Sequence, residues 1–203
     1  MSIAEENTNY GFPTPYEIGK NIQIGACVRW AGASVDPDKN LLYVSANSVP
    51  DLIEIKLNPR NKFNPKSGIA YYHIWEDFFD LDGYPGIKPP WGTLTSMNLN
   101  TGKIVWQVPL GEYESLSKKG FPITGTRNRS GATATGGELV FVSGTMDNKI
   151  RAFDSSNGIE LWSYKLPFIG SAPPTSYMID NNQYIIIPAF EKNGNQLLAF
   201  SIQ

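Results

Sequence analysis

Short runs of alternating apolar and polar residues follow one another along most of the chain, separated by glycine, proline, asparagine and aspartate. Alternation with a period of two places the apolar side chains on one face of a β-strand. We find no long stretch with the apolar spacing of a helix, and apolar runs such as YIIIPAF are far shorter than a membrane-spanning helix requires. The pattern therefore predicts an all-β protein.

One longer pattern occurs twice. The stretch GTLTSMNLNTGKIVW aligns without a gap with NKIRAFDSSNGIELW, so that Gly102 matches Gly158 and Trp106 matches Trp162. Each copy is typical of a strand, a tight turn in which the glycine takes a positive φ, and a second strand that carries the tryptophan. A large flat side chain at this place can bury against a neighbouring sheet, so both tryptophans are predicted to dock on the next repeat. A third, partial copy, QLLAFSIQ, ends the sequence.

Repeats of about 40–50 residues with several strands each are typical of β-propeller blades. The sequence therefore predicts a single partial propeller domain of about three four-stranded blades, the last one incomplete. Its predicted parts are a lead-in over residues 1–29, a blade over 30–110 with an excursion at 49–91, a blade over 131–166 and an incomplete blade over 172–203. In the blade over 131–166 the predicted strands are 131–135, 139–143, 149–154 and 160–166. The segment DLIEIKL predicts an extra strand in the excursion, and excursions of this length usually carry function or cover a site.

Composition and charge exclude several classes of protein. The net charge is −2 and the basic residues are scattered, so nothing points to nucleic acid or an anionic membrane as a partner. Cys27 is the only cysteine, which excludes an internal disulfide, and His73 is the only histidine, which leaves no zinc cluster and no Ser-His-Asp triad to propose. The start, MSIAEENTNY, lacks the apolar core of a signal peptide.

Four segments resemble a known family. WAGASVDPDKNLLYVSAN, PPWGTLTSMNLNTGKIVWQVPLGEY, TGGELVFVSGTMDNKIRAFDSSNGIELWSYKLP and TSYMIDNNQYIIIPA are similar to the carboxyl-terminal part of pyrroloquinoline-quinone (PQQ)-dependent dehydrogenases, of the glucose, quinate and shikimate type. The resemblance implies an eight-bladed propeller, PQQ with a calcium or magnesium ion, and oxidation of a sugar or polyol hydroxyl. It also implies electron transfer to ubiquinone or a cytochrome, and a location in the periplasm or on the periplasmic face of the inner membrane.

The resemblance also implies that this chain supplies only the last blades and needs the upstream half of the propeller as a partner. The family's catalytic aspartate and the lysine near the quinone lie upstream of the matching region, so no residue here inherits their roles. We therefore expect an inactive fragment when the chain is alone. The alternative is a cofactor-free propeller that serves as a scaffold or interaction module.

Candidate cofactor-binding residues follow from the same resemblance. Arg29 stands where the family usually has an asparagine that reaches the cofactor; a guanidinium could pair with a PQQ carboxylate, or the contact could be lost. Trp30 and Trp91 are predicted at blade entrances, with packing as the alternative role. Asn47, at a predicted strand end, could face the cofactor or only form a turn.

Two groups of charged residues invite a structural interpretation. Asp147 and Arg151 in GTMDNKIRAF are predicted to form an ion pair that holds a blade. Asp77, Asp80 and Asp82 in EDFFDLDG resemble half of a calcium loop, but the terminal glutamate is missing, which favours a solvated loop.

Overall fold

The structure, a computed structural model, describes residues 8–9, 19–23, 27–28, 31–57, 71–192 and 194–201. Strands dominate these residues, as the alternation predicts, and they contain a single four-residue helix, α1 (Glu114–Ser117). No helix in these ranges is long and apolar enough to cross a membrane. The strands are β1 Thr8–Asn9, β2 Gly19–Gln23, β3 Cys27–Val28, β4 Ser34–Asp36, β5 Leu41–Asn47, β6 Asp51–Leu57, β7 Tyr71–Asp77, β8 Gly92–Asn98, β9 Lys103–Pro109, β10 Ala132–Ala134, β11 Leu139–Val142, β12 Lys149–Asp154, β13 Glu160–Lys165, β14 Thr175–Ile179, β15 Asn182–Glu191 and β16 Gly194–Ser201.

The chain divides into two compact units, Met1–Ala26 with Ser48–Lys88, and Cys27–Asn47 with Pro89–Gln203. The larger unit holds three antiparallel sheets. The first sheet has the order β3-β5-β8-β9, with β4 also paired to β5; the second sheet is β10-β11-β12-β13 and the third sheet is β14-β15-β16. The predicted strands LVFV, KIRAFD and ELWSYK are confirmed as β11, β12 and β13. The predicted all-β fold class is confirmed, and the three successive sheets have five, four and three strands within the described residues.

The two central strands of the second sheet, β11 and β12, are buried on both faces, because their side chains alternate between two apolar clusters. Val140 and Val142 join the cluster that includes Leu94 of the first sheet, whereas Phe141 joins the cluster that includes Ile187 of the third sheet. The three sheets are therefore layered in chain order, each packing its apolar face on the next.

Trp106 docks the first sheet onto the second, as predicted. Its side chain is 9% exposed, and its indole Nε1–H donates a hydrogen bond to the backbone carbonyl of Ser155 at 3.0 Å. The Tyr43 hydroxyl donates to the same carbonyl at 3.2 Å. Gly158, at φ +75°, lies against the indole, since a Cβ built there would be 2.6 Å from the ring. The turn between β12 and β13 therefore covers Trp106.

For Trp162 the docking prediction is only partly correct, because the side chain is less buried than predicted. This side chain is 38% exposed, and it contacts Phe200 of the third sheet edge-on, with ring centroids 5.4 Å apart. In the alignment of the repeats, Phe200 corresponds to Phe153 and the residue corresponding to Ser155 is Ile202, which lies outside the described residues. Within the described residues, Trp162 thus has the aromatic contact of a docked tryptophan and no covering turn.

Substitution of Gly158 should separate the docking contact from ordinary turn strain. Gly158→Ala is expected to lower the free energy of unfolding by clearly more than Gly102→Ala. The two glycines occupy the same repeat position at φ +75° and +68°, but a Cβ at Gly102 meets nothing within 4 Å. Urea unfolding of both variants measures the difference. Equal losses would show that the contact between Gly158 and Trp106 contributes nothing.

The smaller unit contains one sheet, of order β1-β2-β6-β7. The extra strand predicted for DLIEIKL is confirmed as β6, and it pairs antiparallel with β7 over its whole length. The acidic loop that follows β7 is a tight turn: Asp80 Oδ1 accepts the backbone N–H groups of Asp82 and Tyr84 at 3.0 and 2.9 Å. Asp80 and Asp82 are exposed, so this segment is built as a self-capped turn.

Candidate functional site

Two of the predicted cofactor-binding residues lie at one end of the first sheet. Asn47 is the last residue of β5 and pairs with Gly92, the first residue of β8, which directly follows Trp91. The backbone N–H of Trp91 donates to the carbonyl of Thr124 at 2.8 Å, which brings the segment 124–130 along this sheet end. Asn47 and Trp91 therefore lie at the same end of the first sheet, which we call the rim together with the segment 124–130.

Asn47 joins this rim to the second sheet through a reciprocal pair of hydrogen bonds. Its Nδ2 donates to the backbone carbonyl of Asn128 at 3.0 Å, and the backbone N–H of Asn128 donates to Asn47 Oδ1 at 2.7 Å. The side chain of Asn128 continues the network: Nδ2 donates to the carbonyl of Ser143 at 2.7 Å, and Oδ1 accepts from the N–H of Ser130 at 2.8 Å. Both asparagines are buried, so the network fixes the position of the segment 124–130.

Trp91 is buried next to the same segment, to which its backbone N–H is bonded. It is 5% exposed and meets Tyr113 edge-on, with ring centroids 5.4 Å apart. The next residue, Gly92, leaves no room for a side chain, because a Cβ there would be 2.0 Å from the carbonyl oxygen of Thr126. Packing between the β8 start and the segment 124–130 thus holds the indole of Trp91 in place.

A buried charged cluster lies beside this rim in the second sheet. The predicted pair of Asp147 and Arg151 is confirmed as a bidentate ion pair, in which Nη1 donates to Asp147 Oδ1 at 3.2 Å and Nη2 donates to Oδ2. Arg151 also donates to Thr145 Oγ1 and to Glu160 Oε2, each at 3.0 Å. These partners of Arg151 lie within or close to β12 and β13, so the cluster holds the strands of the second sheet together, as predicted.

The cluster reaches back to the end of the first sheet through Glu112. The backbone N–H of Glu112 donates to Asp147 Oδ2 at 3.0 Å, and its carboxylate accepts from Lys149 Nζ at 2.6 Å. Burial by itself would raise the pKa of Asp147, but the hydrogen bonds and charge of Arg151, with the Thr145 hydroxyl, outweigh it and leave that pKa below its ordinary value. Lys149 lowers the pKa of Glu112 in the same way. Both carboxylates are therefore held as anions.

The structure describes two of the four predicted cofactor-binding residues. Arg29 and Trp30 lie outside the described residues. Asn47 and Trp91 are held in contacts with neighbouring parts of this chain, and their roles toward a cofactor stay predictions. No three His, Cys, Asp or Glu side chains come together as a metal site within the ranges that the structure describes. Here the described residues show a rigid, largely buried rim and no ligand set for a metal ion.

Sequence reasoning missed Asn128, which ties Asn47 to the second sheet. The glycines of its segment, TGTRNRS, do not follow the strand-to-helix pattern of a nucleotide-binding loop, and the segment carries no other known motif. A polar residue among glycines gave no local signal, because its partners lie 81 and 15 residues away in the chain.

Comparison with known proteins identifies the family. Residues 11–185 match the β-propeller domain described as "PQQ: Glucose/ethanol/alcohol dehydrogenase, beta-propeller domain". This match covers most of the chain and agrees with the successive docked sheets of the larger unit. The chain belongs to the family of PQQ-dependent dehydrogenase β-propellers.

Curated relatives carry quinoprotein names. The chain is 30% identical to the quinate/shikimate dehydrogenase (quinone) of Acinetobacter baylyi, in an alignment that covers 87% of this chain and 25% of that protein. It is 27% identical to the quinoprotein glucose dehydrogenase of Escherichia coli, over 94% of this chain and 28% of that protein. The chain therefore spans about a quarter of the length of these relatives.

Solved structures support the fold. A europium-containing methanol dehydrogenase superposes with a TM-score of 0.53 at 22% identity, covering 77% of this chain and 24% of that one. The quinohemoprotein alcohol dehydrogenase of Comamonas testosteroni gives a TM-score of 0.53 at 21% identity, over 79% and 22%. At such identities the likeness is one of fold alone.

Proposed function

We propose that this chain forms the last blades of a PQQ-dependent dehydrogenase and contributes one wall of its cofactor pocket. The observation that carries the proposal is the family match over residues 11–185, combined with a docked pair of sheets whose rim holds Asn47 and Trp91. In the assembled enzyme a sugar or polyol hydroxyl is oxidised, and ubiquinone or a cytochrome accepts the electrons. The enzyme works in the periplasm or on the periplasmic face of the inner membrane.

The cofactor would be PQQ with a calcium or magnesium ion. PQQ supplies the electron-accepting quinone, and hard cations of this kind prefer several oxygen ligands. The described part of this chain gathers no such set, so we propose that the metal ligands come from the upstream half of the propeller. The proposed contacts from this chain are Arg29, with its guanidinium toward a PQQ carboxylate, together with Trp30, Asn47 and Trp91.

The contacts already made by Asn47 and Trp91 limit what these residues can do. The Asn47 amide is hydrogen-bonded to the backbone of Asn128, and the Trp91 ring packs edge-on against Tyr113. We therefore propose that both residues position the rim, and we assign no proton transfer to them. General acid–base catalysis needs a group within hydrogen-bond reach of the substrate, and the proposal places that group outside this chain.

PQQ binding tests the proposal. We expect no saturable binding of PQQ and Ca²⁺ to the chain alone, but calcium-dependent binding once the chain replaces its matching segment in Escherichia coli quinoprotein glucose dehydrogenase. Titration followed by tryptophan fluorescence measures both. In the hybrid, Arg29→Ala is expected to raise the Kd at least about tenfold, since a charge-assisted hydrogen bond is lost. Lys103→Ala, which removes an exposed cation at the opposite end of the first sheet, is the matched control.

A folded hybrid that binds no PQQ would exclude the quinoprotein function and leave the cofactor-free scaffold. Cooperative thermal unfolding of the hybrid establishes that it is folded. Equal Kd values for Arg29→Ala and Lys103→Ala would remove only Arg29 from the site.

A further inference from the structure

Arg129 lies on the segment 124–130 of the rim, and its side chain is exposed. Among the residues that the structure describes, this side chain makes no hydrogen bond and no ion pair. The cations of the neighbouring buried cluster are paired, Lys149 with Glu112 and Arg151 with Asp147. The guanidinium of Arg129 therefore carries a positive charge that no described carboxylate neutralises.

The backbone around Arg129 is fixed on both sides. Its own N–H donates to the carbonyl of Gly144 at 2.9 Å, and Ser45 Oγ donates to the carbonyl of Ser130 at 3.0 Å. Asn128 and Ser130 are both 0% exposed, so the exposed side chain stands between two buried ones. A charged group on such a backbone is well placed for binding, because little backbone freedom is lost when a ligand arrives.

The same segment places Arg129 next to the predicted cofactor-binding residues. Gly131, two residues further on, lies against the backbone of residues 31–32, since a Cβ there would be 2.9 and 3.0 Å from their carbonyl oxygens. In the sequence, residues 31–32 directly follow two of the predicted cofactor-binding residues. On the other side, the backbone N–H of Asn128 donates to Asn47. Arg129 thus stands between the two parts of the rim that the proposed function assigns to the pocket.

The segment around Arg129 favours an anionic ligand. GFPITGTRNRSGATA, residues 120–134, contains two arginines and no carboxylate. A guanidinium binds a carboxylate through two parallel charge-assisted hydrogen bonds, which a neutral sugar cannot match with its hydroxyl groups. The ligand chemistry that fits Arg129 is therefore a carboxylate.

We propose that Arg129 is a specificity-determining residue of the assembled enzyme, in which its guanidinium binds the carboxylate of a hydroxy-acid substrate. This inference rests on the proposed function, which supplies the pocket, and it narrows the substrate from any sugar or polyol to one that carries a carboxylate. PQQ also carries carboxylates, but the proposed contact for these is Arg29, and the exposed position of Arg129 suits a ligand that enters from solvent. The carboxylate anchors the substrate and is itself unchanged by the oxidation.

Two matched pairs of ligands test the inference: glucuronate with glucose, and quinate with its uncharged carboxamide. The protein is the folded hybrid with Escherichia coli quinoprotein glucose dehydrogenase, loaded with PQQ and Ca²⁺. Arg129→Ala is expected to raise the Kd of at least one of the two carboxylates about tenfold or more, and to leave its neutral counterpart unchanged. Tryptophan fluorescence measures the Kd with the quinone reduced beforehand, so that no turnover occurs.

Two further variants separate charge from geometry and from general effects. Arg129→Lys should keep part of the affinity, because it retains the charge and loses the two parallel hydrogen bonds. Lys103→Ala, an exposed cation at the opposite end of the first sheet, should change no Kd. Where a ligand is oxidised, the Arg129→Ala effect should appear in KM more than in kcat.

The inference is overturned if Arg129→Ala leaves both carboxylates unaffected, or if it weakens neutral and charged ligands equally. It is also overturned if the variant raises the Kd of PQQ and not that of the carboxylate ligands, which would assign Arg129 to the cofactor. In each of these cases the unmodified hybrid still binds PQQ, so the proposed function stands. An unmodified hybrid that binds no PQQ contradicts the proposed function, and this inference with it.

Discussion

Replacing Trp106 with alanine is expected to lower the free energy of unfolding by about 3–5 kcal/mol, the range for removing a large buried aromatic side chain. The indole is 9% exposed, donates to the Ser155 carbonyl at 3.0 Å and lies in the cluster that joins the first two sheets. Its loss leaves a cavity at the contact between the sheets and removes one partner of the Ser155 carbonyl. Urea unfolding followed by circular dichroism measures the change.

Trp162→Ala is the matched control, since Trp162 occupies the same repeat position. Its side chain is 38% exposed and lacks the covering turn in the described residues, so we expect a loss of about 1–2 kcal/mol. The comparison is valid if both variants keep the slope of the wild-type denaturation curve. Equal losses for the two variants would show that the docking turn of Ser155 and Gly158 does not stabilise the pair of sheets.

Replacing Arg151 with methionine should cost about 3–5 kcal/mol, because it leaves the buried carboxylate of Asp147 without its counter-charge. The two side chains are 5% and 2% exposed, so solvent cannot replace the lost partner. The double variant Asp147→Leu/Arg151→Met should recover most of the loss, since it removes both charges from the interior. Thermal and urea unfolding of the three proteins give the comparison.

The control for this experiment is Lys39→Met. Lys39 forms a salt bridge with Glu138 at 2.6 Å, but its side chain is 36% exposed and that of Glu138 is 71% exposed. Exposed pairs contribute little, so stability should barely change. If Arg151→Met behaves like Lys39→Met, the buried cluster does not hold the second sheet together.

The alternation of apolar residues was enough to predict β11, β12 and β13, although all six residues of β13 are exposed. β11 and β12 bury the faces that their own sequences define. The docking of Trp106 was predictable for the same reason. The exposure of Trp162 was not, because it depends on a turn contributed by the following repeat and not on the tryptophan or its neighbours in sequence.

Polar contacts between residues far apart in the chain could not be predicted from the sequence either. Asp147 and Arg151 are four residues apart on one motif, and their pairing was predicted. Asn47 and Asn128 are 81 residues apart, and no local pattern links them. Asn47 and Trp91 were named from the sequence as separate candidates, whereas their place at one sheet end and the contact with Asn128 became visible only in the folded chain.

Dye-linked oxidation of a sugar or polyol tests most directly the claim that this chain is one part of a quinoprotein active site. With PQQ and Ca²⁺ supplied, the purified chain of 203 residues is expected to show no turnover, while the folded hybrid with Escherichia coli quinoprotein glucose dehydrogenase oxidises substrate. Turnover by a verified monomer of this chain alone would contradict both the placement of the catalytic groups upstream and the need for the remaining blades.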